Sequence, residues 1–305
     1  MTDPGRDPLA VERLQPPTPG QLRRLMGEEG LRPKRSLSQN FLTDPVALDA
    51  ILAAAELVPG DRVVEIGPGL GVLTRRLLAA GASVIAVELD ARLAAWLRRE
   101  LGGVPGFELI EADVLELHPR DLFAGETFKV VANIPYHITS PLLHTLLEGE
   151  RPPEVTVLLV QAEVAERVAA APGGTSYLSV FVQNVSDPEI VTRVPAEAFE
   201  PAPKVDSAVL RLRRRTAPWI PAGELREPFY RIVQAAFRQR RKQIHNGLGR
   251  ELPLPAGVLD AALEACRIDP ARRPQTLAMG EWRCLADRLI PVLGADRRGR
   301  TEPSA

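Results

Sequence analysis

From about residue 60 to residue 215, short apolar runs alternate with longer amphipathic segments. RVVEI (62–66), SVIAV (83–87), FELI (107–110), FKVVA (128–132) and VTVLLV (155–160) have the length and content of buried strands. Helical periodicity fills 70–80, 90–102, 139–148 and 162–171. Strands that alternate with helices predict a doubly wound α/β fold, with a parallel sheet built from right-handed crossovers. The proline-rich VPAEAFEPAPKV breaks the pattern before DSAVLRLRRR, whose alternation suits a late strand, an antiparallel one being admissible. Beyond TAPWIPAGELREP the periodicity is helical through three further segments. The domains expected are therefore a mobile N-terminal arm (1–35, rich in Pro, Gly and charge), an α/β domain (36–215) and a small all-helical domain (216–305).

Candidate chemistry gathers at the strand ends. The first strand runs into EIGPGLG, where Gly67, Gly69 and Gly71 let the backbone turn tightly and let a ligand approach the amides of the helix that follows. The spacing is not the G-x-G-x-x-G of dinucleotide sites, and Glu65 just before the loop would repel a pyrophosphate. A ligand with an ammonium or sulfonium centre fits better, although such a loop also serves packing alone. The second strand ends at Glu88, where an acid in this fold accepts from ribose hydroxyls. Asp113 follows the third strand, placed for an adenine amine. Acids flank strands for many reasons, but the three features in order point to an adenosine-containing cofactor.

The fourth strand ends in NIPY, 133–136. Asn133 offers an amide oxygen, and Pro135 restricts Ile134 so that its carbonyl points outward. Two acceptors can hold both hydrogens of an aromatic amine, favouring a pyramidal nitrogen whose lone pair aims at a methyl group; Tyr136 would stack on the base. Taken alone, the tetrapeptide is almost as well read as a turn with a core tyrosine.

Composition changes this picture in one respect. With 45% hydrophobic and 25% charged residues, the 305-residue chain is of ordinary globular type, and it has neither an apolar run of membrane-spanning length nor a signal-peptide core near its start. A cytoplasmic location without membrane partners is expected. Two cysteines, Cys266 and Cys284, and four scattered histidines support neither a disulfide framework nor a metal site. The net charge of −1 hides a basic stretch: 204–250 carries twelve Lys and Arg against three acids. Such runs are usually solvated helix faces. Here Arg238, Arg240, Arg241 and Lys242, on a predicted helix, and Arg211–Arg215 are candidates for phosphate contacts.

In order, SQNFLTDP, EIGPGLGVLT, VELD, EADVLEL, NIPYHITSPLL, QAEVAERV, AFEPAPKVDSAVLRL and AFRQRRKQIHNGL resemble the small-subunit ribosomal RNA adenine dimethyltransferases. The likeness runs from about Ser36 to the final helices. It implies a Rossmann-like class I methyltransferase domain and S-adenosylmethionine as cofactor. The implied reaction is double methylation of two adjacent adenosines in a 3′-terminal hairpin loop of 16S rRNA, within the small ribosomal subunit or its precursor. It adds Asn40 and Leu42 to the cofactor contacts, agrees on Gly67, Glu88, Asp113 and Asn133, and implies that Phe199 sandwiches the base against Tyr136. Without the family, Phe199 reads equally well as packing. His137 and Ala162 stand where the family commonly has asparagine and lysine, which bears on local RNA contacts rather than on the reaction. A monomer is expected. The rival readings are an adenine methyltransferase acting on large-subunit rRNA or DNA, and an assembly factor whose docking matters more than its catalysis.

Overall fold

A computed structural model of the chain describes residues 13–31, 39–117, 122–123, 125–149 and 151–298. It forms two compact units, Met1–Ala165 with Glu189–Arg214, and Glu166–Pro188 with Arg215–Ala305. The boundary differs from the sequence expectation because 166–188 joins the helical unit: Gln183 Nε2 donates to the carbonyls of Val168 and Ala170, and Asn184 binds Ile220 in both directions.

The first unit is built on a sheet whose strands, in chain order, include β2 (Arg62–Ile66), β3 (Ser83–Glu88), β4 (Phe107–Glu111), β5 (Lys129–Asn133), β6 (Val155–Gln161), β7 (Ser186–Val194) and β9 (Ser207–Arg214). The spatial order is β4-β3-β2-β5-β6-β9-β7. Strands β2 to β6 pair in parallel and β9 runs antiparallel to β6. Val, Ile and Leu fill the central strands because both sheet faces are covered, as parallel sheets require. The order reverses at β2, so a crevice opens beyond the carboxyl ends of β2 and its neighbours. Helix α2 (Pro45–Ala55) precedes β2, and helices α3 (Val72–Ala79), α4 (Ala91–Leu101) and α5 (Thr139–Leu147) form crossovers between parallel strands. Asp44 and Asp90 cap α2 and α4 through their own side chains.

Two further strands tie distant parts of the chain. β1 (Phe41–Leu42) pairs antiparallel with β8 (Phe199–Glu200), Leu42 opposite Phe199. The Ala198 carbonyl accepts from Thr43 N and Asp44 N.

Part of the expected N-terminal arm is a helix, α1 (Pro19–Glu28), started by a Thr18–Gln21 capping box. Leu22 and Met26, one turn apart, enter the core of the first unit, and Arg23 pairs with Glu200 at 2.9 Å. Residues 1–12 and 32–38, which include the RPKRS run and Ser38 of SQNFL, lie outside the described residues.

In the second unit, α6 (Ala162–Val168, its last residues) and α7 (Tyr177–Val185) join α8 (Arg226–Arg238), α9 (Ile244–Glu251), α10 (Val258–Ala265) and α11 (Met279–Arg298). Their core centres on Phe229, Ile232, Leu263, Trp282 and Leu285. The expectation of no disulfide is overturned: Cys266 and Cys284 are bonded, because α10 and α11 pack with the two Cα atoms 5.8 Å apart.

Candidate active site

The glycine loop, the strand ends and NIPY converge on one cavity of about 350 Å3 in the first unit. Gln39 to Leu42 line it together with Gly67 and Gly69, Glu88, Asp113 and 133–138. Asn40, Leu42, Gly67, Gly69, Glu88, Asp113, Asn133, Ile134, Pro135 and Tyr136 are thus brought together, as the sequence suggested; His137 is there as well.

Gly67, Gly69 and Gly71 all adopt left-handed φ values of +64, +61 and +74°. At Gly69 the need is also spatial, since a Cβ would stand 2.9 Å from the Phe41 ring. The β1 segment therefore lies directly against the loop. The Gly69 amide donates to Glu88 Oε2 (3.2 Å) and the Asp90 amide to Oε1 (2.9 Å). Burial raises the Glu88 pKa and these two amides oppose the rise. Each Glu88 oxygen keeps a second lone pair for a ligand. Asp113 Oδ1 accepts from Leu115 N, leaving the other oxygen for the cavity.

At NIPY, Asn133 Nδ2 donates to the Asn40 carbonyl at 3.1 Å. That bond fixes the amide and leaves Oδ1 as its free end, an acceptor at the cavity wall. Tyr136 is half-buried, and its hydroxyl shares a hydrogen bond of 2.7 Å with Ser207 Oγ. Burial raises the tyrosine pKa and Ser207 opposes it. The ring is thereby held from β9, a role for Ser207 that sequence reasoning missed. The only signal was its place in AFEPAPKVDSAV, since its partner lies 71 residues earlier.

Glu65 is 1% exposed, and its Oε2 has no hydrogen-bond partner. Burial pushes this carboxyl up to about 8; the Glu88 charge adds to the rise and Thr74 opposes it.

Phe199 lies elsewhere. It is 4% exposed, sits in the core opposite Leu42 and does not line the cavity. Its two-residue strand pairs with β1, and the side chain belongs to the core of the first unit.

The basic residues divide. Arg240, Arg241 and Lys242 do not lie on a helix: they form the exposed turn between α8 and α9, and among the described residues they make no ion pair. Arg238, the last residue of α8, pairs with Glu251 at 3.5 Å. Arg211 and Arg213 are bound to Glu56 and Arg215 to Asp187, so the expected phosphate contacts along 211–215 are already satisfied inside the protein.

A sheet with this strand order, a glycine loop after β2, an acid ending β3 and an asparagine ending β5 define a class I methyltransferase. The chain belongs to the ribosomal RNA adenine dimethylase family, whose model matches residues 30–290. It is an enzyme of methyl transfer to adenine in ribosomal RNA. A ribosomal RNA small subunit methyltransferase A of Moorella thermoacetica is 44% identical over 283 residues, covering 89% of this chain and 98% of that protein. A protein of the same name from Dehalococcoides mccartyi is 38% identical over 92% of this chain and 97% of its own. Among solved structures, the 23S rRNA methyltransferase ErmE superposes with a TM-score of 0.67 at 35% identity, covering 82% of this chain and all of that one. A dimethyladenosine transferase from Plasmodium falciparum gives 0.69 at 25% identity, with 85% and 98% covered.

Proposed function

We propose that the enzyme transfers methyl groups from S-adenosylmethionine to the exocyclic amines of two adjacent adenosines in the 3′-terminal hairpin loop of small-subunit ribosomal RNA, dimethylating each. It would act as a cytoplasmic monomer on the small subunit or its precursor. Among the described residues no helix is long and apolar enough to cross a membrane.

The cavity's residues suit this cofactor. Its volume is that of a small-molecule site, and Glu88 and Asp113 are acceptors at successive strand ends, for ribose hydroxyls and an adenine amine. Glu65 places a buried acidic group just before the glycine loop. When bound, S-adenosylmethionine supplies an electrophilic methyl on a sulfonium. The protein holds the nucleophile. Asn133 Oδ1 and the Ile134 carbonyl accept the two amine hydrogens, which draws the nitrogen lone pair out of the ring. Tyr136, held by Ser207, stacks on a base that has left its loop. The exposed turn at Arg240, Arg241 and Lys242 would meet phosphates of the RNA.

The observation that carries this reading is the Asn133–Asn40 hydrogen bond, which presets the amide with its oxygen available. Small subunits lacking the modification, incubated with enzyme and labelled S-adenosylmethionine, are expected to be labelled at two neighbouring adenosines. Label on large-subunit RNA, the outcome favoured by the likeness to the 23S enzyme, or at one adenosine only, would refute the assignment. Replacing Asn133 with Ala is expected to lower kcat by about 10²–10³-fold, the scale for losing one preorganised polar contact at a reacting centre.

A further inference from the structure

The Glu65 carboxylate has no step of its own in the reading above. It is the next-to-last residue of β2, just before the glycine loop, is almost wholly enclosed, and leaves Oε2 without a partner although the residue lines the cavity. Its acidic neighbour Glu88 has both oxygens engaged by backbone amides. An enclosed acid with an unsatisfied oxygen responds strongly to any charge placed nearby, because little water screens it.

Methyl transfer changes the ligand's charge. The donor carries a cationic sulfonium, and the product left behind is an uncharged thioether. Resting on S-adenosylmethionine as cofactor, we propose that Glu65 is a specificity-determining residue that makes the cavity prefer the sulfonium donor to the thioether product, through a preference linked to a proton. With Glu65 protonated the cavity has little reason to tell the two ligands apart. When the donor binds, its positive charge favours the carboxylate, and the Glu65 proton leaves to solvent. After transfer the positive charge is gone, Glu65 regains a proton, and the product is held less tightly than the donor. Glu65 acts through the loop rather than by contact, since its Oε2 is enclosed.

Other groups share the field. Glu88 acts on Glu65 from the end of β3, Asp90 caps α4 with its amide on Glu88, and Asp113, Tyr136 and His137 line the cavity beyond β4 and β5. Thr74 and Arg75 stand on α3; the Arg75 guanidinium donates to the carbonyls of Arg13, Leu70 and Gly71. Burial raises both Glu65 and Glu88; amides reach both Glu88 oxygens, whereas at Glu65 Thr74 alone opposes the rise and Oε2 has no hydrogen-bond partner. The proton-linked step is therefore assigned to it, in the range around pH 8.

Calorimetric Kd values for S-adenosylmethionine and S-adenosylhomocysteine, taken from pH 6.5 to 9 on wild type, Glu65→Gln and Glu65→Asp, test this. In wild type the affinity ratio of donor to product is expected to grow by about tenfold across that range, one linked proton allowing up to about tenfold per pH unit. Glu65→Gln should show a smaller and flatter ratio, with any ionisation of the ligands themselves common to all three proteins, and Glu65→Asp should restore the slope. Should Glu65→Gln fail to fold, proton release measured in paired buffers decides the matter on wild type, which must release more for the donor than for the product. Equal slopes in wild type and Glu65→Gln, or equal proton release for the two ligands, overturn the inference and leave the cofactor reading standing. Failure of wild type to bind either ligand overturns both.

Discussion

Two arginine-rich stretches, RLRRR at 211–215 and RQRRK at 238–242, look alike in sequence and end in opposite circumstances. In the first, strand alternation directs Arg211 and Arg213 to one side, where both reach Glu56 at 2.7 and 2.5 Å. Arg211 also pairs with Glu189, Arg214 donates to the Pro152 carbonyl and Arg215 to Asp187. In the second, the chain has left α8, and Arg240, Arg241 and Lys242 project from an exposed turn without acidic partners among the described residues. A local excess of charge is thus a binding surface only where the fold leaves it unpaired. The Lys and Arg that Glu56, Glu189 and Asp187 neutralise do not contribute to the field that an RNA meets.

Replacing Arg240, Arg241 and Lys242 together with Ala tests the contrast most sharply. RNA affinity is expected to fall on the order of 10²-fold at moderate salt, with the slope of log affinity against log salt smaller by about 2, as loss of three phosphate contacts implies. S-adenosylmethionine affinity should stay unchanged. Filter binding across a salt series reads both quantities, and a parallel loss of cofactor affinity would defeat the assignment of this turn to RNA.

The contrast also shows what a sequence can carry. RVVEI, SVIAV, FELI, FKVVA and VTVLLV stand where strands were expected; all but FELI, which lies at the sheet edge and is only partly covered, read as apolar runs because their strands are buried on both faces. Asn133, Glu88, Asp113 and the glycines were placed correctly because an α/β sheet brings successive strand ends to one edge whatever the details between them. α7 and β7 were missed. YLSVFVQNV is apolar around most of its circumference and has no clear period, and β7 mixes exposed polar residues with Pro188, tolerable at a sheet edge. Phe199, Ser207 and the cysteine pair depended on contacts between distant segments: Phe199 with Leu42, Ser207 with Tyr136, Cys266 with Cys284. Glu56 is hidden for the same reason, a single acid more than 150 positions from the arginines it holds.

Within the second stretch a finer division is expected. Arg238 is tied to Glu251, whereas Arg240 is not. Arg240→Ala alone should weaken RNA binding about three- to fivefold, the scale of one phosphate contact, and Arg238→Ala by no more than about twofold. Equal losses in the two single variants would mean that the Arg238–Glu251 pair opens to admit the RNA.

The smallest effect is expected at the paired stretch, and it should appear in stability rather than in binding. Arg211→Ala with Arg213→Ala is predicted to leave RNA affinity within about twofold of wild type. Glu56 is held below the usual carboxylate range mainly by the hydrogen bond from Arg213, with both arginine charges assisting. A carboxylate lowered on folding stabilises the protein above its unfolded pKa, near 4.3, and that contribution is lost as pH falls through the folded value. Because Glu56 and Arg213 are both more than two-fifths exposed, solvent screening limits the loss in the double variant to about 1 kcal/mol at pH 7. Urea unfolding should show this difference at pH 7 and a smaller one at pH 3.5, where the Glu56 carboxyl is already largely protonated in the unfolded chain. A difference that persists undiminished at pH 3.5 would assign these arginines' role to packing of their stems rather than to the ion pairs, and a drop in RNA affinity matching that of the 240–242 variant would erase the distinction between the two stretches.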